Sequence, residues 1–194
     1  MRPGRPREFD ERQVLERAMN LFWARGYERV ALSELQQQMG ISRQSLYDTF
    51  GSKRELFIRT IEHYRATQLA QALAMLSREG SPLENVRAVV RFFDQLASDP
   101  SCRGCLVANA LVEIAPHDPE IAELLRETLE LLRESIERAL RAAREGGELA
   151  ARKAPEQLSL ALTNALMGMA VTGRLPTGRP MLRGITDATL SMLE

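Results

Sequence analysis

GISRQSLYDTFGSKREL, residues 40–56, sets a short helix-forming segment between two glycines. Gly40 suits the left-handed position that closes a helix, Ser42 is placed as an N-cap, and Ile41 and Leu46 are spaced as a hydrophobic staple. The predicted helix, Arg43 to Phe50, spans only about 12 Å. Rotated at helical period, Leu46 and Phe50 share one edge and face neighbouring helices. Gln44 and Asp48 point away from that edge, Ser45 and Tyr47 flank it, and Arg43 sits at the N-terminal tip.

Working outward, Val14, Leu15, Ala18, Leu21 and Phe22 recur at helical spacing from Asp10 to Arg25. Asp10 with Gln13 forms a capping box, Phe9 and Val14 a staple, and Gly26 the stop. A second box, Ser33 with Gln36, opens a helix that ends at Met39. Two short helices joined at Gly40 behind a longer one are the arrangement that lays a helix in the DNA major groove. Arg reads guanine O6 and N7, Gln reads adenine, and Ser and Tyr hydroxyls suit phosphates or base edges. Lys53, in the first turn of the next helix, is placed to hold a phosphate together with that helix's N–H groups. Arg2, Arg5 and Arg7, in an arm stiffened by Pro3 and Pro6, are placed to reach a minor groove. Residues alone leave a second reading open, in which the polar face is a solvated side of a small bundle.

The segment AMNLFWARGYERVALSELQQQMGISRQSLYDTFGSKREL, residues 18–56, resembles the DNA-binding region of the TetR family of bacterial transcriptional regulators. The likeness rests on the glycine after the first helix, Ser33, the Met-Gly-Ile-Ser turn, Leu46-Tyr47, Phe50 and Lys53. It implies that Ser33, Arg43, Gln44, Ser45, Tyr47, Thr49 and Lys53 occupy positions that touch DNA. Thr49, where His or Tyr is frequent, and the acidic Asp48 depart from the pattern and bear on the target sequence. The resemblance further implies an all-α chain. An N-terminal helix-turn-helix module, residues 1–51, continues into a larger helical domain, 52–194, that binds an inducer and dimerises through its last two long helices.

The remaining residues read as helix throughout. The fourth helix, capped by Ser52 with Glu55, is expected to run through Leu69, Leu73 and Leu76 to about Glu79. Ser81, with Pro82 and Glu84, starts another that ends near Ser98. Others cover about Gly104–Ile114, Asp118 to Gly146, Pro155–Thr172 and Pro180–Leu193. The run LSLALTNALMGMA, residues 158–170, is apolar on more than one face, which suits a helix buried against its own core and a partner. Leu158, Leu162, Leu166 and Met169 are the expected dimer contacts, and a short reading helix favours two copies on half-sites about 34 Å apart. For an inducer, Leu73, Phe92, Phe93, Leu96, Leu106 and Met167 are candidate cavity walls, with Asn109 to orient a small molecule; core packing and interhelical hydrogen bonding are the alternatives.

SCRGCLVANALVEIAPHDPEI, residues 101–121, places Cys105 near a helix start beside Arg103, a setting that lowers a thiol pKa, with Cys102 as a resolving partner. The GCLVANA stretch is similar to TetR regulators that respond to oxidants or electrophiles through a cysteine in this region. Burial as structural thiols is the competing reading. Two cysteines and two distant histidines, His63 and His117, do not give zinc-site spacing, so no metal and no cofactor is expected. There is no phosphate loop, metal-binding helix motif or nucleophile elbow, which leaves a thiol enzyme or a protein-interaction module as the alternatives to a DNA-binding regulator.

Composition agrees. Residues 1–54 carry ten Lys or Arg against seven Asp or Glu, while the whole 194-residue chain is neutral, so positive charge gathers at the proposed DNA end. No stretch reaches the roughly 18 apolar residues of a membrane helix, and no secretory signal opens the chain, so a cytoplasmic protein without membrane contact is expected.

Overall fold

The computed structural model describes residues 9–175 and 179–194. Among them every regular element is helical. The chain divides into two compact units, Met1–Tyr64 and Arg65–Glu194.

The first unit contains α1 (Glu11–Arg25), α2 (Leu32–Met39), α3 (Arg43–Phe50) and α4 (Lys53–Tyr64). Asp10 caps α1 by accepting from the Arg12 N–H at 2.9 Å, and Gly26, at φ 84°, ends it. The break at Gly26 frees Tyr27 to turn back. Its ring lies 4.9 Å from Phe57 and 5.9 Å from Phe22, which meets Phe57 edge-on at 5.1 Å. Val14, Ala18, Met19, Leu35, Met39, Leu46, Phe50, Leu56 and Ile61 complete this core, each almost fully shielded from solvent. α1 packs along α4, which is why the compact unit extends to Tyr64 and not to Gly51. Separating those two helices would expose Phe22, Phe57 and the Trp23–Tyr64 edge contact.

Two local expectations are corrected here. Ser33 is not the cap of α2: it is an exposed residue inside the helix, and Ala31 holds the N-cap position. The Glu34 carboxylate closes the turn by accepting from the Ala31 N–H at 2.9 Å. Glu34 reaches back three residues to Ala31, as Gln36 would have to reach back three to Ser33, so the whole start of the helix lies two residues earlier. The other correction concerns the run after Ser52. Residues Arg65–Leu69 form a π-helical turn, α5 covers Ala70–Leu76, and the helix stops at Ser77, whose hydroxyl donates back to the Leu73 and Ala74 carbonyls.

The second unit continues with α6 (Pro82–Ser98), α7 (Leu106–Glu113), α8 (Pro119–Glu145), α9 (Pro155–Thr172) and α10 (Arg179–Ser191). α6 is central and packs on α5, α8, α9 and α10. Its start is held twice: Ser81 accepts from the Glu84 N–H at 3.1 Å, and Glu148, from the α8–α9 loop, accepts from Ser81 Oγ at 2.6 Å and the Leu83 N–H at 3.1 Å. Asp118 caps α8, accepting from the Ile121 N–H at 3.1 Å. On its polar side Glu137 accepts from Arg133 and Arg141, and Arg141 also pairs with Glu156 of α9. These hydrogen bonds hold the Glu137 carboxyl below the usual carboxylate range.

Candidate nucleic-acid interface

α3 carries the face that the sequence nominated. Ser42 caps it, with its hydroxyl accepting from the Ser45 N–H at 3.0 Å and lying 2.9 Å from Ser45 Oγ. Leu46 and Phe50 are fully buried and fix the helix by one edge. The opposite side is open: Arg43, Gln44, Tyr47 and Asp48 are exposed, and Ser45 and Thr49 are half-buried. Arg43 places its guanidinium 5.7 Å from the centroid of the Tyr47 ring and pairs with no acid among the described residues. Gln44 makes no hydrogen bond among the described residues, which leaves its amide available for a base edge.

Gly51 ends α3 at φ 76°, and a side chain there would strike the Glu55 carboxylate. The chain reverses at once into α4, where Ser52 accepts from the Glu55 N–H at 3.1 Å. Lys53 therefore stands in the first turn of α4, with its Nζ 4.4 Å above the Tyr27 ring and donating to the Glu28 carbonyl at 3.4 Å. Both partners are neutral, so the full positive charge stays available to a phosphate. Ser33 is exposed on α2. Arg2, Arg5 and Arg7 lie outside the described residues.

Two supports were missed in the sequence. Arg59 of α4 donates to the Thr49 carbonyl at 3.4 Å, lies 5.0 Å from the Phe50 ring centroid, and pairs with Glu11 of α1. One guanidinium thus satisfies a last-turn carbonyl of α3 while fastening it to two other helices. Arg17 of α1 does the same for α2, donating to the Met39 carbonyl at 3.4 Å. The only signal in the sequence was a pair of arginines at the margin of apolar helix faces. That pattern is also common on solvated helices.

In the second unit the nominated residues scatter. Leu73, Phe92 and Phe93 are half-buried on the core, the two Phe rings meeting edge-on at 5.9 Å; Leu106 is buried and Met167 half-buried. Leu96 is corrected: it is 51% exposed, because Val89, Val90 and Ala97 form the buried stripe of α6 and Leu96 falls outside it. A cavity of about 390 Å³ between the ends of α6 and α9 and the start of α10 is lined by none of these residues. Asn109 is a structural clasp, accepting from Arg174 at 3.1 Å and donating to the Arg103 carbonyl at 3.1 Å.

The two thiols differ in access. Cys105 is 6% exposed at the N-cap position of α7, whereas a reactive thiol needs access. Cys102 is half-buried, accepts from the Gly104 N–H at 3.4 Å and lines the cavity. No disulfide joins them. Leu162, Leu166 and Met169, expected at a dimer seam, are fully buried in their own unit, and Leu158 packs against the same core. The residues that α9 turns outward are Leu160 and Val171, both 59% exposed. The run 158–170 was apolar all round, so its composition could not distinguish the inner stripe from the outer one.

Comparison with known proteins agrees with this geometry. Residues 14–60 match the family model described as bacterial regulatory proteins, tetR family, and residues 82–186 match the tetracyclin repressor-like C-terminal domain. The chain is 31% identical to the uncharacterized HTH-type transcriptional regulator YezE of Bacillus subtilis, over 98% of this chain and 100% of that one. It is 27% identical to the HTH-type transcriptional repressor ComR of Escherichia coli, over 97% of this chain and 91% of that one. A cysteine mutant of the TetR family transcriptional regulator CifR, solved with 26-base-pair operator DNA, is similar at 30% identity and a TM-score of 0.85, covering 96% of this chain and 98% of that one. Reduced Escherichia coli NemR shares the fold, at 19% identity and a TM-score of 0.85 over 94% of this chain and 95% of that one. An exposed polar reading helix held by its apolar edge, and two family matches that together span most of the chain, give one conclusion: the chain belongs to the TetR family of DNA-binding transcriptional regulators.

Proposed function

We propose that the protein is a ligand-responsive transcriptional repressor that binds a palindromic operator as a homodimer. The observation that carries this reading is the outward face of α3. Arg43, Gln44 and Tyr47 are exposed on a helix whose other edge is locked, so the face is pre-organised for base edges. Ser45, Thr49 and Ser33 flank it, and Lys53 supplies a phosphate contact beside it. ComR and BdcR, both Escherichia coli proteins described as HTH-type transcriptional repressors, support the sign of regulation. The operator-bound CifR mutant supports double-stranded DNA as the partner.

The second copy docks on the outward sides of α9 and α10. Leu160, Asn164, Gly168 and Val171 recur along one side of α9, and Met181, Gly184 and Ala188 along α10. Beyond the helix's own adjacent backbone, nothing among the described residues comes within 4 Å of where a side chain would begin at Gly168 or Gly184, so two such faces can approach closely. Dimerisation sets the two α3 helices on half-sites about one turn, roughly 34 Å, apart. An inducer acts by favouring a conformation in which those helices no longer match successive grooves.

Cys102, half-buried and in a cavity wall, favours a second reading in which an oxidant or electrophile is the signal. The main reading is tested by selecting bound sequences from random duplex DNA with reduced protein. A palindrome with half-sites about a turn apart supports it, and recovery of no shared sequence overturns it. Release of the selected DNA by a thiol-specific oxidant in the wild type but not in Cys102→Ser would favour the second.

A further inference from the structure

The cavity between the ends of α6 and α9 and the start of α10 has a composition that specifies an occupant. Its apolar walls are Ala97, Pro100, Leu175 and Leu182. Two arginines, Arg174 and Arg179, and one acidic residue, Asp99, line the same space. We propose that this cavity is a binding site for an organic monocarboxylate with an apolar body of about ten non-hydrogen atoms.

The argument for the charge starts from what holds the arginines. Arg174 donates one N–H to Asn109, a neutral acceptor, and Arg179 makes no hydrogen bond or ion pair among the described residues. Asp99 neutralises neither: its carboxylate accepts from the Ser101 N–H at 2.7 Å and the Ser101 hydroxyl at 2.5 Å. The wall therefore includes two arginines, of which Arg179 has no acidic partner among the described residues and carries a planar fork that matches a carboxylate, and α10 begins at Arg179, adding the positive end of its dipole. The nearby Asp99 charge opposes a second negative charge on the occupant, which favours a monoanion over a dianion.

The argument for size and rigidity is geometric. Gly173 packs so closely on α6 that a side chain there would begin 2.4 Å from the Ala97 carbonyl oxygen. Gly104, at φ 76°, packs against Arg174 and the Ala170 carbonyl. The side of the cavity where Gly173 meets Ala97 is thus fixed by backbone. At about 30 Å³ per water, a volume of about 390 Å³ holds roughly 13 waters, or a ligand of similar atom count with some solvent left at its mouth. Leu182 and Ala97 are already buried, so the occupant's apolar body gains contact with side chains that do not have to be reorganised.

Cys102 gives the site its own reporter. It lines the cavity, Cys105 is buried outside that lining, and Arg103 between them lets trypsin separate the two thiols into different peptides. The experiment measures the rate of Cys102 alkylation by iodoacetamide in DNA-free protein, with octanoate or its neutral isostere octanamide present. Octanoate is expected to slow Cys102 alkylation saturably, by fivefold or more, while octanamide at equal concentration does not. Arg179→Gln, which removes charge without removing a contact among the described residues, is expected to raise the half-protecting octanoate concentration at least tenfold. Arg174→Lys, keeping charge but losing the fork, should shift it less. Equal protection by octanamide overturns the proposal, as does no protection, or unchanged protection in a folded Arg179→Gln protein. The readout contains no DNA, so its failure is separate from failure of the repressor reading.

Discussion

Lys53→Ala isolates the proposed phosphate contact from the proposed reading face. In the free protein the ammonium lies 4.4 Å from the Tyr27 ring centroid and, among the described residues, donates only to the neutral Glu28 carbonyl. Its loss should therefore cost the fold about 0.5–1 kcal/mol, the worth of a partly exposed cation over an aromatic ring. On DNA the consequence is larger and has a distinctive form. The proposed dimer carries two copies, so two phosphates would lose their counter-charge. Each neutralised phosphate contributes about −0.9 to the slope of log K against log salt, and the variant's slope should be shallower by about 1.8. Between about 50 and 200 mM salt the wild type should then lose roughly tenfold more affinity than the variant. The assay is fluorescence anisotropy of labelled operator at several salt concentrations, with Lys53→Arg as the control that restores the slope. Parallel salt dependence of wild type and Lys53→Ala would show that the ammonium does not touch phosphate, and the docking of α4 on DNA would be wrong.

Arg59→Ala should behave in the opposite way: operator affinity falls because α3 loses its tie to α1 and α4, but the salt slope stays that of the wild type. A shallower slope for this variant would place Arg59 on the DNA. Glu34 is held below its ordinary pKa of 4.5, first by the Ala31 N–H and then by Arg25. A depressed carboxylate contributes stability above its unfolded pKa and loses it as pH falls through the folded one. Glu34→Gln should thus lower the thermal midpoint at pH 7, with the difference vanishing as pH is taken through 4.5 and below; a constant difference would contradict the capping role. Val171→Glu, on the outward side of α9, should yield monomers by sedimentation while keeping wild-type helicity, whereas an unchanged dimer would move the interface elsewhere. Gly173→Ala should destabilise the second unit by about 1–3 kcal/mol in urea unfolding, because its methyl would meet the Ala97 backbone.

The first unit was legible because its signals are local. Gly26, Gly40 and Gly51 each take positive φ at a helix end, Ser42 and Ser52 cap as their spacing required, and Leu46 and Phe50 are four residues apart on one edge. The cap of α2 was misplaced because Ser33 is a preferred N-cap residue, whereas the helix starts after Ala31 and is closed there by the Glu34 carboxylate that Arg25 also binds. Arg59 escaped notice because its three partners are far from it in sequence. None of them shares a helical repeat with it.

The second unit was legible as helices and not as surfaces. Pro82, Pro119 and Pro155 marked three starts correctly, and α9 has the bounds expected from its sequence. Which side of α9 faces inward depends on α6, α8 and α10, so Leu162 and Leu166 could not be told from Leu160 by hydrophobicity. The cavity likewise combines a helix end, a turn and a helix start whose residues are about 75 positions apart. The burial of Cys105 was hidden for a related reason: its proximity to Arg103 in sequence carried no information about burial.

The central claim is that the exposed face of α3 reads base edges, and Gln44 tests it most directly because it makes no hydrogen bond among the described residues and leaves the core untouched. Bound sequences are selected from random duplex DNA in parallel with wild type and Gln44→Ala. The account predicts one palindromic framework for both proteins, with preference lost in the variant at the same base pair of each half-site. Identical preferences at every position, with equal affinity, would contradict it and remove α3 from the major groove.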